Sequence, residues 1–172
     1  MTWYSIPNSN EVEIYINYDY TKLDKVKIAS FDLDWTLVKP NYGTFPRNEN
    51  DVVIMKNRLE YLKLLVNNNF TLVIFTNQSR GIAMNKKRIE NFVKMTGLNF
   101  IVFMSTTPEK VNSIYRKPNV GMWQLMSQMI KVESAFYCGD AAGRKDDFSD
   151  SDLMFAKNVG TQFYLPEELF LT

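Results

Sequence analysis

The sequence predicts an α/β fold, a doubly wound parallel sheet with helices on both faces. Two observations carry this expectation. Short apolar runs alternate with segments whose apolar residues recur every three or four positions, the pattern of strand–helix–strand units. Several runs are apolar on both faces, as strands of a covered parallel sheet must be. The 172 residues, 45% apolar and 23% charged, suffice for one domain with a sizeable core. No repeat or Pro/Gly/Ser-rich linker divides the chain, so a single domain over 1–172 is expected.

The elements follow in order. Residues 1–25 read as an N-terminal extension in which VEIYINYDY alternates as an edge strand or hairpin. KIASFDLD (27–34) reads as the first core strand. Val52, Met55, Leu59, Leu62 and Val66 mark one stripe of a helix over 51–68. FTLVIFTN (70–77) is the second strand, 86–95 a helix, and NFIVFM (99–104) the third strand. A helix over 119–131 carries Met122, Leu125, Met126 and Met129 behind Pro118. SAFYCGD (134–140), a helix over 150–159 and TQFY (161–164) complete the series. Gly97 and Gly160 stand where glycines end helices.

Composition removes whole classes of chemistry. There is no histidine and one cysteine, Cys138. Ser-His-Asp and Cys-His systems, histidine-ligated zinc and internal disulfides are excluded. A metal here is held mainly by oxygen, which favours a hard cation such as Mg²⁺. The N-terminus MTWYSIPNSN lacks a basic region followed by an apolar stretch, and LVIF and FIVFM are too short to span a bilayer. An intracellular, non-secreted monomer in nucleus or cytoplasm, with no membrane partner, is expected. The abundance of Asn, Lys and Ile suits an AT-rich genome, such as that of a virus.

In an open α/β sheet, ligands bind beyond the carboxyl ends of the strands. Asp32 and Asp34 end the first strand, Thr76 and Asn77 the second, and Gly139 and Asp140 the fourth; Lys117 precedes a helix. The strand period of two places Asp32 and Asp34 on one side. Carboxylates that close repel unless a cation intervenes. Bound Mg²⁺ supplies one, with Asp140 as a further ligand, and a lysine beside such an ion makes a phosphate site. In this reading Asp32 attacks phosphorus, and Asp34 protonates the leaving oxygen and then activates water. Thr76 donates to the phosphoryl oxygens and Lys117 neutralises their charge.

DLDWT resembles motif I (DxDxT) of the haloacid dehalogenase-like (HAD-like) phosphohydrolases, whose fold is Rossmann-like. FTNQ, RKP, GDAAGR and DFSDSDLMFAKNVGTQF resemble one branch, the polynucleotide kinase 3′-phosphatase family and its stand-alone relatives. The resemblance spans roughly Val26 to Phe170. It implies a Mg²⁺-dependent removal of 3′-phosphate from DNA ends in repair, through an aspartyl-phosphate. It implies Asp32 as nucleophile and Asp34 as acid/base, the latter also a metal ligand through its backbone carbonyl. It implies Thr76 and Lys117 at the phosphoryl group, Asp140 on Mg²⁺, and Asp147 as another acidic group near the metal. Trp35 stands where relatives have glycine. TNQSRGI replaces TNQxGI, which puts Arg80 in or beside a substrate loop.

Val38 to Asn50 leaves room for a flap only, and twelve residues separate Met104 from Lys117. No cap domain is expected, and an open site suits a macromolecular end. From Thr76 to Val120 there are eight basic residues against Glu90 and Glu109, whereas Asp146 to Thr172 holds six acids and one lysine. Asn77, Arg80, Arg144, Lys145, Lys39 and Arg47 are the candidate substrate contacts, positioning backbone phosphates. Lys86-Lys87-Arg88 reads as a solvated helix face, Trp35 as packing before base stacking, and Cys138 and the methionine stripe as core. The rival functions are a small-molecule phosphatase of the same superfamily (histidinol phosphate or a sugar phosphate) and a non-enzymatic phospho-acceptor or binding module. No GxxxxGK[ST] loop is present, so a 5′-kinase activity is not expected in this chain, which reads as either a stand-alone phosphatase or one that works beside a separate polynucleotide kinase or ligase.

Overall fold

The computed structural model describes residues 2–171. In chain order the elements are β1 (Thr2–Ser5), β2 (Val12–Ile16), β3 (Lys25–Phe31), β4 (Val38–Lys39), β5 (Val53–Ile54), α1 (Arg58–Asn67), β6 (Phe70–Asn77), α2 (Ile82–Thr96), β7 (Phe100–Ser105), α3 (Gly121–Met129), β8 (Lys131–Cys138), α4 (Ser151–Val159), β9 (Gln162–Tyr164) and α5 (Pro166–Leu169). The main sheet runs β1-β2-β7-β6-β3-β8-β9. Strands β7, β6, β3, β8 and β9 are parallel neighbours. β1 and β2 form an antiparallel hairpin added to β7.

Alternation along the strands explains the two helical layers. Ala29 and Phe31 of β3 and Leu72 and Ile74 of β6 pack with Leu62 and Leu65 of α1 and Ile89, Phe92 and Val93 of α2. Ile28, Val73 and Phe75 point the other way, onto Met122 and Met126 of α3 and Phe155 and Ala156 of α4. Each such side chain, fully buried, contributes about 1.5–3 kcal/mol of transfer free energy. The chain winds from β3 outward to β6 and β7, then returns to β8 on the other side of β3. The topological switch, where open α/β sheets form crevices, therefore borders β3.

Several expected boundaries move: the helix expected over 86–95 starts at Ile82, the strand expected over 134–140 runs from Lys131 to Cys138, and two further shifts bear on the site. The stripe over 51–68 is not one helix, because Val53 and Ile54 pair with Val38 and Lys39 as the base of the flap. The helix starts only after Asn57, whose φ is +67°. β3 ends at Phe31 rather than residue 34. The Leu33 carbonyl accepts from the amides of Thr36, Leu37 and Val38, which curls the chain into a tight turn. Trp35 occupies that turn at φ +63°. The period-two argument that set Asp32 and Asp34 on one side therefore lacks a continuous strand beneath it, and their partners differ.

Candidate active site

Three strand ends meet beside the switch. Asp32 follows β3, Thr76 lies near the end of β6, and Asp140 stands two residues past β8. Lys117 reaches this point from the loop before α3. Its Nζ donates to Asp32 Oδ1 at 2.8 Å, to Asp152 Oδ1 at 2.8 Å and to the Tyr137 hydroxyl at 2.9 Å. Its loop is tied to β6 by Asn77, whose side chain accepts from the Lys117 amide and donates to the Lys117 carbonyl.

Asp152 was not singled out in the sequence. It lies in the first turn of α4 and is buried. It accepts from Lys117, from the Tyr137 hydroxyl at 2.7 Å and from the Ala141 amide at 3.0 Å. Gly139 makes room for it: a Cβ there would lie 2.4 Å from Asp152 Cγ, so only glycine fits. Thr36 was also missed. Its hydroxyl lies 3.3 Å from Asp32 Oδ2 and 3.4 Å from Asp140 Oδ1, bridging the two carboxylates. Arg58 Nε holds the Thr36 carbonyl at 2.8 Å.

Carboxylate oxygens of Asp32, Asp140 and Asp152 lie within 4.8 Å of one another. Burial, then the neighbouring Asp152, raise the Asp32 carboxyl well above the ordinary range; Lys117 opposes this and Asp140 adds to it. Asp140 is raised by burial and by Asp152. Burial pulls Lys117 down, but Asp152 and Asp32 outweigh it and leave the ammonium raised to about 12. One lysine facing three acids leaves the cluster short of positive charge, and an all-oxygen donor set suits a divalent metal. Both Asp152 oxygens take strong protein donors at 2.7–3.0 Å, whereas Asp32 Oδ2 and Asp140 Oδ1 meet only the Thr36 hydroxyl, at 3.3 and 3.4 Å. Asp152 is the anchor of Lys117.

Asp34 faces another set of groups. Arg88 Nη2 donates to its Oδ1 and Gln78 Nε2 to its Oδ2, each at 2.6 Å. Gln78 also donates to Thr76 Oγ1 at 3.0 Å. The side chain of Asp34 is therefore outside the acidic cluster, held toward α2. Asp147 is outside it too: its carboxylate accepts from the amides of Ala142 and Arg144 and from Arg144 Nε. It braces its own loop, and these bonds hold its carboxyl below the ordinary range.

The candidate substrate contacts divide by exposure. Lys39, Arg80 and Lys145 are exposed. Arg47 leans on Asp51 at 3.5 Å and over the Tyr42 ring. Arg144 is engaged by Asp147 and Glu167, and its Nη2 donates to the Asp140 carbonyl. Asn77 is committed to the Lys117 backbone. Of Lys86-Lys87-Arg88, Lys87 is exposed and Lys86 pairs with Glu13, but Arg88 is buried rather than solvated. The insertion between β3 and α1 is a flap pinned by Asp51, which accepts from the amides of Asn41 and Arg47. Trp35 Nε1 donates to the Thr44 carbonyl at 3.2 Å, tying the flap to the turn beside Asp34. Tyr42 and Phe45 project from it with 75% and 80% exposure, and among the described residues no further domain is inserted beside the strand ends.

The model of the family described as polynucleotide kinase 3 phosphatase matches residues 27–170. The chain belongs to this family. A 20.8 kDa uncharacterised protein of Autographa californica nuclear polyhedrosis virus is 39% identical, over 84% of this chain and 85% of its own length. Polynucleotide 3′-phosphatase ZDP of Arabidopsis thaliana is 33% identical over 94% of this chain. The bifunctional polynucleotide phosphatase/kinase of Schizosaccharomyces pombe is 34% identical over 88% of it. The chain spans only 26% and 40% of those two proteins. Among solved structures, D,D-heptose 1,7-bisphosphate phosphatase from B. bronchiseptica, complexed with magnesium and phosphate, has a TM-score of 0.67 at 19% identity, covering 81% of this chain and 80% of that one. That likeness is one of fold, and the family's match includes every strand that ends at the acidic cluster.

Proposed function

We propose that this chain is a Mg²⁺-dependent polynucleotide 3′-phosphatase that removes 3′-phosphate from DNA ends. The observation that carries the reading is Asp32: a buried carboxylate at the switch point, aimed by a buried lysine, in a chain of this family. Lys117 fixes Oδ1 and Thr36 lies beside Oδ2, so the carboxylate is oriented before substrate arrives. Asp32 attacks phosphorus; the bond to the 3′-oxygen breaks, and its electron pair leaves on that oxygen, which takes a proton from Asp34. Water, losing its proton to Asp34, then hydrolyses the aspartyl-phosphate. Lys117, freed in part from Asp32 as that oxygen bonds phosphorus, neutralises charge on the phosphoryl oxygens. Mg²⁺, held by Asp32 and Asp140, supplies further positive charge to those oxygens when bound.

The uncapped strand ends favour a macromolecular end over a small metabolite. Exposed Lys39, Arg80 and Lys145 contact backbone phosphates, and a polynucleotide kinase or ligase acts beside the chain as a separate partner. The test is incubation with Mg²⁺ and oligonucleotides phosphorylated at the 3′ or the 5′ end. Loss of the 3′-phosphate alone, stopped by EDTA and by Asp32→Asn, is expected. Hydrolysis of a generic phosphate ester with both oligonucleotides untouched would remove the nucleic-acid assignment and leave the chemistry.

A further inference from the structure

Arg88 is the largest side chain buried to under 2% exposure. It occupies the inner stripe of α2 with Asn85, Ile89, Phe92, Val93 and Thr96. Its Nη1 donates to Asn85 Oδ1 at 2.6 Å and its Nη2 to Asp34 Oδ1 at 2.6 Å, while its Nε has no hydrogen-bond partner among the described residues. A buried guanidinium costs several kcal/mol of lost hydration, and an ion pair recovers this only with good geometry and full hydrogen bonding. One donor here is unsatisfied. A leucine or isoleucine would suit an apolar stripe at lower cost, so core stability does not explain the arginine.

The geometry points to Arg88 as the positioning residue for the acid/base group Asp34. This rests on the reading of Asp34 given above and goes beyond it. Arg88 holds Oδ1 and Gln78 holds Oδ2, so both carboxylate oxygens are fixed from one side. Each oxygen keeps a second acceptor position, available to the leaving oxygen or to water. Asp34 stands in a turn beyond β3, beside Trp35 at positive φ; an isolated bridge to Val38 holds its backbone, and Arg88 and Gln78 hold its carboxylate. The clamp is braced in turn. Asn85 Nδ2 donates to the Arg80 carbonyl at 2.8 Å, so a chain of hydrogen bonds runs from the exposed Arg80 loop through Asn85 and Arg88 to Asp34.

The test exploits the leaving group. A 3′-oxygen leaves as an alkoxide and needs the proton from Asp34, whereas p-nitrophenolate leaves without one. The ratio kcat/KM covers the steps through leaving-group departure, where that proton is used. Arg88→Met is expected to lower kcat/KM for a 3′-phosphorylated oligonucleotide by about 10- to 100-fold. Its loss on p-nitrophenyl phosphate is expected to be at least about tenfold smaller, and Arg88→Lys is expected to recover part of the difference. Glycerol phosphate set against p-nitrophenyl phosphate makes the same comparison without nucleic acid, so failure of the nucleic-acid assignment is read separately. Equal losses on both leaving groups, or none on either, overturn the proposal. If Arg88→Met does not fold, Gln78→Leu tests the other half of the clamp: an unequal loss supports it, and equal or absent losses overturn it.

Discussion

Two groups of charges border the same sheet edge and obey different rules. The inner group is Lys117 with Asp32 and Asp152, whose side chains are 2%, 13% and 2% exposed. The outer group is Arg144 with Asp147 and Glu167, of which Arg144 and Glu167 are 42% and 44% exposed. Both look alike as a sequence of basic and acidic letters. Inside, removing one partner strands a charge away from water, at about 3–5 kcal/mol. Outside, solvent and salt screen the same interaction to about 0–1 kcal/mol. In the proposed mechanism the difference is one of role: the inner group shapes the reacting atoms, and the outer group shapes the approach to them.

The largest effect that tests this division is in the inner group. Asp32→Asn is expected to lower kcat by about 10⁴-fold or more, since it removes the nucleophile, while circular dichroism stays unchanged. Lys117→Met is expected to lower kcat and also to destabilise the fold by about 3–5 kcal/mol in urea titration, because Asp32 and Asp152 remain buried without their cation. If Lys117→Met were as stable as wild type, the inner group would not be the closed ion network described.

The pH dependence of the metal-free protein follows from the raised carboxyls. A carboxyl raised in the folded state favours folding while protonated, and that contribution is lost as pH rises through its folded value. For Asp32 and Asp140 the loss begins above the ordinary carboxylate range of about 4 and extends upward. Asp51 and Asp147 are shifted down; their contribution is lost only as pH falls below about 4, so they stay constant above it. Lys117, raised to about 12, stays charged throughout. Without metal, Tm should fall as pH rises above the ordinary carboxylate range of about 4. Mg²⁺ should raise Tm, and by more at the higher pH, because ligands must be ionised to bind. A gain that is larger at the acid end would contradict the assignment of Asp32 and Asp140 to the ion.

The smallest effects belong to the outer group and its exposed neighbour Lys145. Lys145→Ala should raise KM for an oligonucleotide a few-fold and lower the salt slope by about one, leaving kcat unchanged. Arg144→Ala should do less, because Asp147 and Glu167 already offset its charge. Salt titration of KM for the two variants checks the order.

Much of the site was legible because each residue sat at the end of an apolar run. Asp32, Thr76 and Asp140 follow from strand ends alone, and the structure brings all three to one edge with Lys117. Alternation aligns Asp34 with Asp32 only while the strand lasts; β3 stops at Phe31, and Asp34 takes Arg88 and Gln78 as partners where Asp32 takes Lys117. Asp152 and Tyr137 were not legible as partners of Lys117: one lies on a helix, the other within a strand, and only packing around Gly139 joins them. Arg88 was legible in principle. It shares the stripe of Ile89, Phe92 and Val93, and a basic residue on a buried face asks for a partner, but its two lysine neighbours in sequence masked it. Thr36 was visible in DLDWT, and nothing in the spacing said that its hydroxyl would lie beside both acids.

The central claim is that Asp32 carries the phosphoryl group covalently. The most direct measurement uses Asp34→Asn, which slows hydrolysis of the intermediate, with radiolabelled p-nitrophenyl phosphate, whose leaving group departs without the Asp34 proton, and a rapid acid quench. Peptide mapping should place the label on the peptide containing Asp32, releasable by hydroxylamine, as an acyl phosphate is. Release of labelled phosphate with no protein-bound label at any quench time would contradict the account.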